Sequence, residues 1–134
     1  MTLIARVLAL CALLLSGFGG PAIAADGTTV WNGVYAYDNG QPPVHFTMTL
    51  TTKGKTVTGK LEEPATFGDG TSEKLFANIK GTMFGFSVSF KKAYDGTGGQ
   101  SHTVAYRGTV DGKAMFGKWS VTGLSGTWYA AEAK

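Results

Sequence analysis

The side chains best suited to chemistry lie close together in a glycine-rich segment of the sequence, residues 90–108. Tyr94 and Asp95 precede the glycines, and His102 follows them. Alternation counted back from Val104 places the imidazole of His102 in the inward-facing phase of a predicted strand, near the start of that strand. An imidazole and a carboxylate can transfer protons, and they can also hold a ligand through hydrogen bonds. This segment is therefore the first candidate for a functional site.

A purely structural interpretation of these residues competes with the functional one. His102 would then bond a loop carbonyl, and Asp95 would cap a turn, as aspartates do in many hairpins. The glycines do not form a phosphate-binding loop, because the G-x-x-x-x-G-K spacing and a following helix are both missing. No serine lies in a G-x-S-x-G motif. The residues favour binding over catalysis, and an enzyme using His102 with Asp95 as acid and base is the weaker alternative.

Metal binding is not expected from this composition. The sequence has two histidines, and we predict that His45 faces outwards while His102 faces inwards. The only cysteine, Cys11, lies in an N-terminal leader. A calcium site at Asp69 and Asp95 is an open alternative, although no EF-hand loop pattern is present. We predict no metal and no cofactor.

Aromatic residues make up 12% of the sequence, a large share for a short chain. Most should form the core, because aromatic side chains bury much apolar area. The main ones are Trp31, Tyr35, Phe84, Phe86, Phe90, Phe116, Trp119 and Trp128. Some of them could instead line a cavity. We expect Tyr94, Tyr106 and His102 to orient a ligand there. The full predicted ligand site is His102, Tyr94, Asp95, Tyr106, Trp119 and Trp128, with the two tryptophans as apolar walls.

These residues must be positioned by strands, since alternation with a period of two recurs along the chain after the leader. In the clearest strand, residues 44–51, apolar side chains share one face and mostly polar side chains share the other. The predicted strands are residues 30–37, 44–51, 56–62, 75–82, 84–92, 102–110, 114–121 and 124–130. Eight short strands joined by turns predict an all-β fold, an eight-stranded antiparallel up-and-down meander barrel. A flattened sandwich is the alternative.

The lengths of the links between these strands predict where a site would lie. Short turns are expected around 53–55, 82–83 and 111–112, whereas the alternate links 38–43, 63–74 and 93–101 are longer. Alternate links of a meander emerge at the same end of the barrel. Because binding groups are usually carried by loops on a rigid scaffold, we expect the site at the long-loop end.

The first residues of the chain have the features of a signal peptide. Arg6 precedes an apolar run, Val7 to Leu15, and an A-x-A cleavage site ends at Ala24. We therefore predict a signal peptide, 1–24, a single domain, 25–134, and a periplasmic or secreted location. The apolar run is too short to span a membrane. Lipidation at Cys11 is the alternative.

The charge pattern does not favour nucleic-acid binding. The formal net charge is +3, and the basic residues are scattered rather than clustered. A nucleic-acid interface would need a basic stripe on one face. The predicted partner is therefore a small apolar ligand or another protein, with no nucleic acid and no membrane span.

Residues 90–108 resemble a signature of uncharacterised bacterial exported domains, F-x-K-x-Y-D-G-T-G-G-x-x-H-x-V-x-Y-x-G. The matching residues are Phe90, Lys92, Tyr94, Asp95, Gly96, Thr97, Gly98, Gly99, His102, Val104, Tyr106 and Gly108. The predicted architecture is also similar to the calycins, the group of avidin-like, lipocalin-like and metalloprotease-inhibitor barrels. The stretch 126–129 resembles their glycine–tryptophan strand but lies at the opposite end of the chain, so no ligand contacts transfer.

The resemblance to calycins implies an exported binding module that holds a small, largely apolar ligand. The alternative is a protein-interaction module, such as an inhibitor of a secreted hydrolase. That alternative would use an N-terminal arm, residues 25–30, or the long loops.

Overall fold

Buried and more exposed positions alternate along most strands of the computed structural model, which describes residues 26–134. The strands are β1 (Gly27–Tyr37), β2 (Val44–Lys53), β3 (Thr56–Pro64), β4 (Lys74–Phe84), β5 (Ser87–Tyr94), β6 (Thr103–Asp111), β7 (Ala114–Val121) and β8 (Leu124–Glu132). Each strand pairs antiparallel with the next, and β8 pairs with β1. Closure leaves no unpaired sheet edge. The prediction of an eight-stranded up-and-down barrel is confirmed.

The first strand starts earlier than predicted. Residues 27–30 pair with residues 49–52 of β2, so most of the expected N-terminal arm is part of the sheet. Residues 27–30 are therefore not a free arm, and their role in a protein interaction stays a prediction. The predicted signal peptide, its cleavage site and Cys11 lie outside the described residues.

The turn between β4 and β5 was predicted too early in the chain. The structure places it at Gly85 and Phe86, where Gly85 has a φ of 59°, a left-handed conformation that favours glycine. Phe84 and Phe86 are consequently 63% and 57% exposed. The expectation that they belong to the core is wrong, because Phe84 follows the buried Met83 in the outward phase of β4 and Phe86 lies in the turn.

The two ends of the barrel differ in their links. Short links at 54–55, 85–86 and 112–113 close one end. Longer links at 38–43, 65–73 and 95–102 emerge at the other end, together with the short link at 122–123. We call these the closed end and the open end.

Both ends of the described chain lie at the closed end. Asp26 accepts a hydrogen bond from the backbone of Gly54 in the β2–β3 turn, at 2.8 Å. The backbone N–H of Ala133 donates to Val30, also at 2.8 Å. No helix among the described residues is long and apolar enough to cross a membrane.

Apolar side chains fill the closed half of the barrel interior. Met48, Val57 and Met115 are completely buried there. Inward glycines leave room for large rings: a Cβ on Gly33 would lie 2.2 Å from Cζ of Phe46. Because this half is packed, open space inside the barrel is found toward the open end.

Candidate functional site

A cavity of about 280 Å³ opens between the long loops. This volume is slightly below the usual size range of ligand pockets, roughly 300–1,000 Å³. Its aromatic walls are Tyr35, Tyr37, Phe67, Tyr94, Tyr106 and Trp119. Its polar groups come from Gln41, Lys92 and His102. The cavity is therefore mainly aromatic, with a few polar groups that could fix the orientation of a ligand.

A buried ion pair lies at the inner side of this cavity. Glu63 projects inwards from β3 and Lys92 from β5, and they are 2% and 1% exposed. The ammonium group of Lys92 donates a hydrogen bond to Oε1 of Glu63. Burying a charge is costly unless it is paired and hydrogen-bonded, and each of these charges has an opposite partner.

Two tyrosines complete the hydrogen bonding of the carboxylate. Tyr94 donates its hydroxyl to Oε1 of Glu63 at 2.8 Å, and Tyr35 donates to Oε2 at 2.5 Å. Burial, followed by the charge of Glu63, raises the pKa of both phenols, so they stay protonated and remain donors. With Lys92 these residues form a polar cluster, which we call the Glu63 cluster.

The Lys92 ammonium is also enclosed by aromatic rings. Its Nζ lies 4.5 Å from the ring centroid of Tyr35, 4.7 Å from that of Tyr94 and 5.8 Å from that of Tyr106. Such contacts attract a cation to the face of a ring. Burial lowers the pKa of Lys92, and the charge of Glu63 opposes that shift. Among the described residues, the ammonium donates a hydrogen bond only to Glu63, although it has three N–H donors.

Tyr106 projects from β6 into the same cavity. The residue is 2% exposed, and its hydroxyl makes no hydrogen bond with any residue in 26–134. Its ring is stacked on Phe90, with centroids 4.9 Å apart, and meets the edge of Trp128 at 5.6 Å. Burial raises the pKa of Tyr106. The structure therefore holds a protonated, unpaired phenol in a fixed position facing the cavity.

His102 lies at the rim, in the loop directly before β6. Its ring centroid is 4.6 Å from that of Tyr94 and 6.0 Å from that of Phe67. Its backbone carbonyl accepts a hydrogen bond from Tyr94, which closes the loop. Burial lowers the pKa of His102, and the positive charge of Lys92 lowers it further. Because the ordinary value is about 6.5, the imidazole is mainly neutral at pH 7.

The structure does not bring Asp95 into the cavity. Its carboxylate is exposed, and its pKa is lowered by hydrogen bonding to the side chain of Thr97 and then to the backbone N–H of Thr97, which lies at 2.9 Å. Asp69 caps Thr71 in the same way. The two loops touch, since the backbone of Asp69 donates to Gly98 at 2.9 Å. Both aspartates therefore shape the turns that frame the cavity.

Neither the Asp95–His102 pair nor the calcium alternative finds support in these contacts. The carboxylate of Asp95 is directed at its own turn rather than at the imidazole. Within residues 26–134, no three His, Cys, Asp or Glu side chains are grouped as a metal site would require.

The two predicted tryptophans have different positions. Trp119 lines the cavity and donates its indole N–H to the backbone of Ala36 at 3.0 Å. Trp128 lies behind the cavity wall, where its N–H bonds the backbone of Arg107 at 3.1 Å. It therefore supports Tyr106 instead of lining the cavity.

Sequence reasoning missed the Glu63 cluster. Glu63 was assigned to a loop, whereas it shares the inward phase of β3 with Val57 and Leu61. Lys92 shares the inward phase of β5 with Phe90. Charged residues at inward positions of two strands were the available signal.

Comparisons with models of protein families, with characterised proteins and with solved structures gave no match for this chain.

Proposed function

We propose that this protein is an exported, calycin-like binding module that holds a small, largely apolar ligand in the open end of its barrel. The observation that carries the proposal is the aromatic cavity of about 280 Å³, which has an unpaired phenol and the Glu63 cluster on its inner side. Ligand pockets are typically apolar with a few placed polar groups. The proposed periplasmic or secreted location rests on the leader, residues 1–24.

The construction of the barrel supports binding in the lumen. The closed half is filled by side chains, so a ligand would enter between the long loops and stop at the Glu63 cluster. The cluster is held by hydrogen bonds from two strands besides β3 itself. A rigid inner surface of this kind reduces the entropy lost when a ligand binds.

Ligand binding also explains the positions of Glu63 and His102 better than acid–base catalysis does. Three groups already donate hydrogen bonds to the carboxylate of Glu63, so its oxygens are not available to take a proton from a substrate. His102 instead offers a neutral imidazole ring, packed against Tyr94 and Phe67, at the entrance. We assign it the role of a wall and hydrogen-bonding group for the outer part of the ligand.

Native mass spectrometry tests this proposal. Protein purified gently from its own source should carry an additional mass that is lost on denaturation. Val121 lines the cavity near the rim, so Val121→Trp should fill the space and remove the additional mass. Val30 is exposed on the outer surface, and Val30→Trp is the matched control that should retain it. An additional mass that persists in Val121→Trp would place the ligand elsewhere.

A protein-interaction module is the second candidate, because two phenylalanines are exposed at the closed end. Phe84 and Phe86 flank the β4–β5 turn and expose more than half of their surface. Exposed apolar groups of this kind can mark a protein contact. Loss of a co-purifying protein in Phe84→Ser, with no loss in Val121→Trp, would favour this candidate over lumen binding.

A further inference from the structure

The cavity offers more hydrogen-bond donors than acceptors on its inner side. Tyr35 and Tyr94 are already committed to Glu63, but the hydroxyl of Tyr106 is unpaired among the described residues. Lys92 has N–H donors beyond the one that contacts Glu63. No buried side-chain N or O atom of residues 26–134 lacks a hydrogen-bond partner, so the unpaired Tyr106 hydroxyl is accessible to the cavity. A ligand acceptor placed there can bond this hydroxyl and a remaining N–H of Lys92.

The charge of the cluster limits what that acceptor can be. Lys92 and Glu63 balance each other, and both are almost fully buried. An anionic ligand group would place a second negative charge beside the carboxylate with only one ammonium between them. Two negative charges close together in a buried site, where water does not screen them, repel strongly. A neutral acceptor avoids this cost.

The walls define the rest of the ligand. The rings of Tyr37 and Trp119 meet edge to face with centroids 5.1 Å apart, and Tyr94 and Phe67 meet similarly at 5.7 Å. These rings surround the cavity, and a bound ligand can contact both their faces and their edges. Offset and edge-to-face packing against aromatic walls suits a planar aromatic molecule.

We propose that the ligand is a neutral, planar aromatic carbonyl compound whose oxygen accepts hydrogen bonds from the Tyr106 hydroxyl and the Lys92 ammonium. The inference rests on the proposed lumen-binding function and specifies the chemistry of its ligand. The carbonyl enters first, and the aromatic part stays between Trp119, Tyr37 and the rim.

Two probes of nearly the same shape test the role of the oxygen. Acetophenone carries a carbonyl, and α-methylstyrene replaces that oxygen with a methylene group. Dissociation constants are measured by chemical-shift titration of the purified protein. A cavity that recognised only apolar surface would bind the hydrocarbon at least as well, because the hydrocarbon is the less polar molecule. We expect acetophenone to bind about tenfold more tightly, as hydrogen bonds from a phenol and a charged ammonium predict.

Tyr106→Phe removes the unpaired hydroxyl and keeps the ring that stacks on Phe90. This variant should weaken acetophenone binding by roughly three- to tenfold and change α-methylstyrene binding by less than about twofold. Tyr129 is exposed on the outer face of β8, so Tyr129→Phe is a matched control that should change neither constant.

The outcomes separate this inference from the proposed function. If both probes bind in the cavity with equal affinity, or the hydrocarbon binds more tightly, the ligand class is wrong while lumen binding stands. If acetophenone is preferred equally in wild type and Tyr106→Phe, the assignment to this hydroxyl is wrong. If neither probe shifts resonances of cavity residues, lumen binding of small aromatic molecules is wrong, and the ligand class fails with it.

Discussion

Replacing Lys92 with Met removes the ammonium that, among residues 26–134, pairs with Glu63, and it leaves the carboxylate buried. Methionine has a similar length and an apolar end, so the main change is the loss of a positive charge. Breaking a buried ion pair in this way costs about 3–5 kcal/mol, because the remaining charge is uncompensated. Because the hydrogen bonds from Tyr35 and Tyr94 remain, we expect the free energy of unfolding to fall by about 3 kcal/mol.

A double replacement separates the ion pair from simple packing. Glu63→Gln combined with Lys92→Met removes both charges and keeps a polar group that can accept a hydrogen bond from one phenol and donate one to the oxygen of the other. Replacing both partners of a buried pair is often close to neutral. The double variant should therefore be more stable than Lys92→Met, and the double-mutant cycle should give a coupling free energy of about 2 kcal/mol or more.

Urea denaturation followed by tryptophan fluorescence measures these differences. Lys91 is exposed on the outer side of the same strand, so Lys91→Met is the matched control and should change the free energy of unfolding by less than about 0.5 kcal/mol. A loss of less than about 1 kcal/mol for Lys92→Met, with no recovery in the double variant, would refute the reasoning. It would show that the pair is solvated and does not limit what the cavity can accept.

Other perturbations test separate parts of the structure. Because the folded-state pKa of His102 lies below its ordinary value, the native protein favours the neutral ring; stability should be complete above about pH 6.5 and fall as pH drops through the folded pKa. His102→Gln should flatten that part of a pH–stability profile from urea titrations. A Cβ on Gly126 would lie 1.8 Å from the backbone oxygen of Ala36 and 2.7 Å from Nε1 of Trp119. Gly126→Ala should therefore destabilise by about 3 kcal/mol or more and alter the near-ultraviolet circular dichroism, and an unchanged spectrum and stability would contradict that packing. Phe84→Ser should change stability by less than about 0.5 kcal/mol, because the ring is exposed, and a larger loss in denaturation would show that it packs against the barrel.

The architecture was predictable because it depends on a repeating local pattern. A period of two fixes which side chains share a face, and turn residues separate one strand from the next. Where the pattern was ambiguous, the prediction was less accurate. The stretch around Gly85 can alternate in either of two phases, and only the position of the turn decides whether Phe84 faces inwards.

The inner side of the cavity was harder to predict because it depends on contacts between residues that are far apart in the sequence. Glu63 and Lys92 are 29 positions apart and lie on strands separated by β4. Each is unfavourable alone at an inward position, and only the presence of the other makes it acceptable. Tyr94, Tyr106 and Trp119 line the cavity, and the alternation places them inwards whether or not they contact a ligand. Asp95 lies outside the cavity, in its own turn, and the sequence does not separate turn formation from ligand binding because both use the same residue type.

The placement of both described chain ends at the closed end has a practical consequence for how the protein can be handled. An anchor, a dye or a fusion partner joined beyond residue 134 would project away from the long loops and leave the entrance unobstructed. A layer of molecules immobilised through this end would present every entrance to the surrounding solution. The same geometry would let a fluorophore at the rim report occupancy without interference from the attachment point.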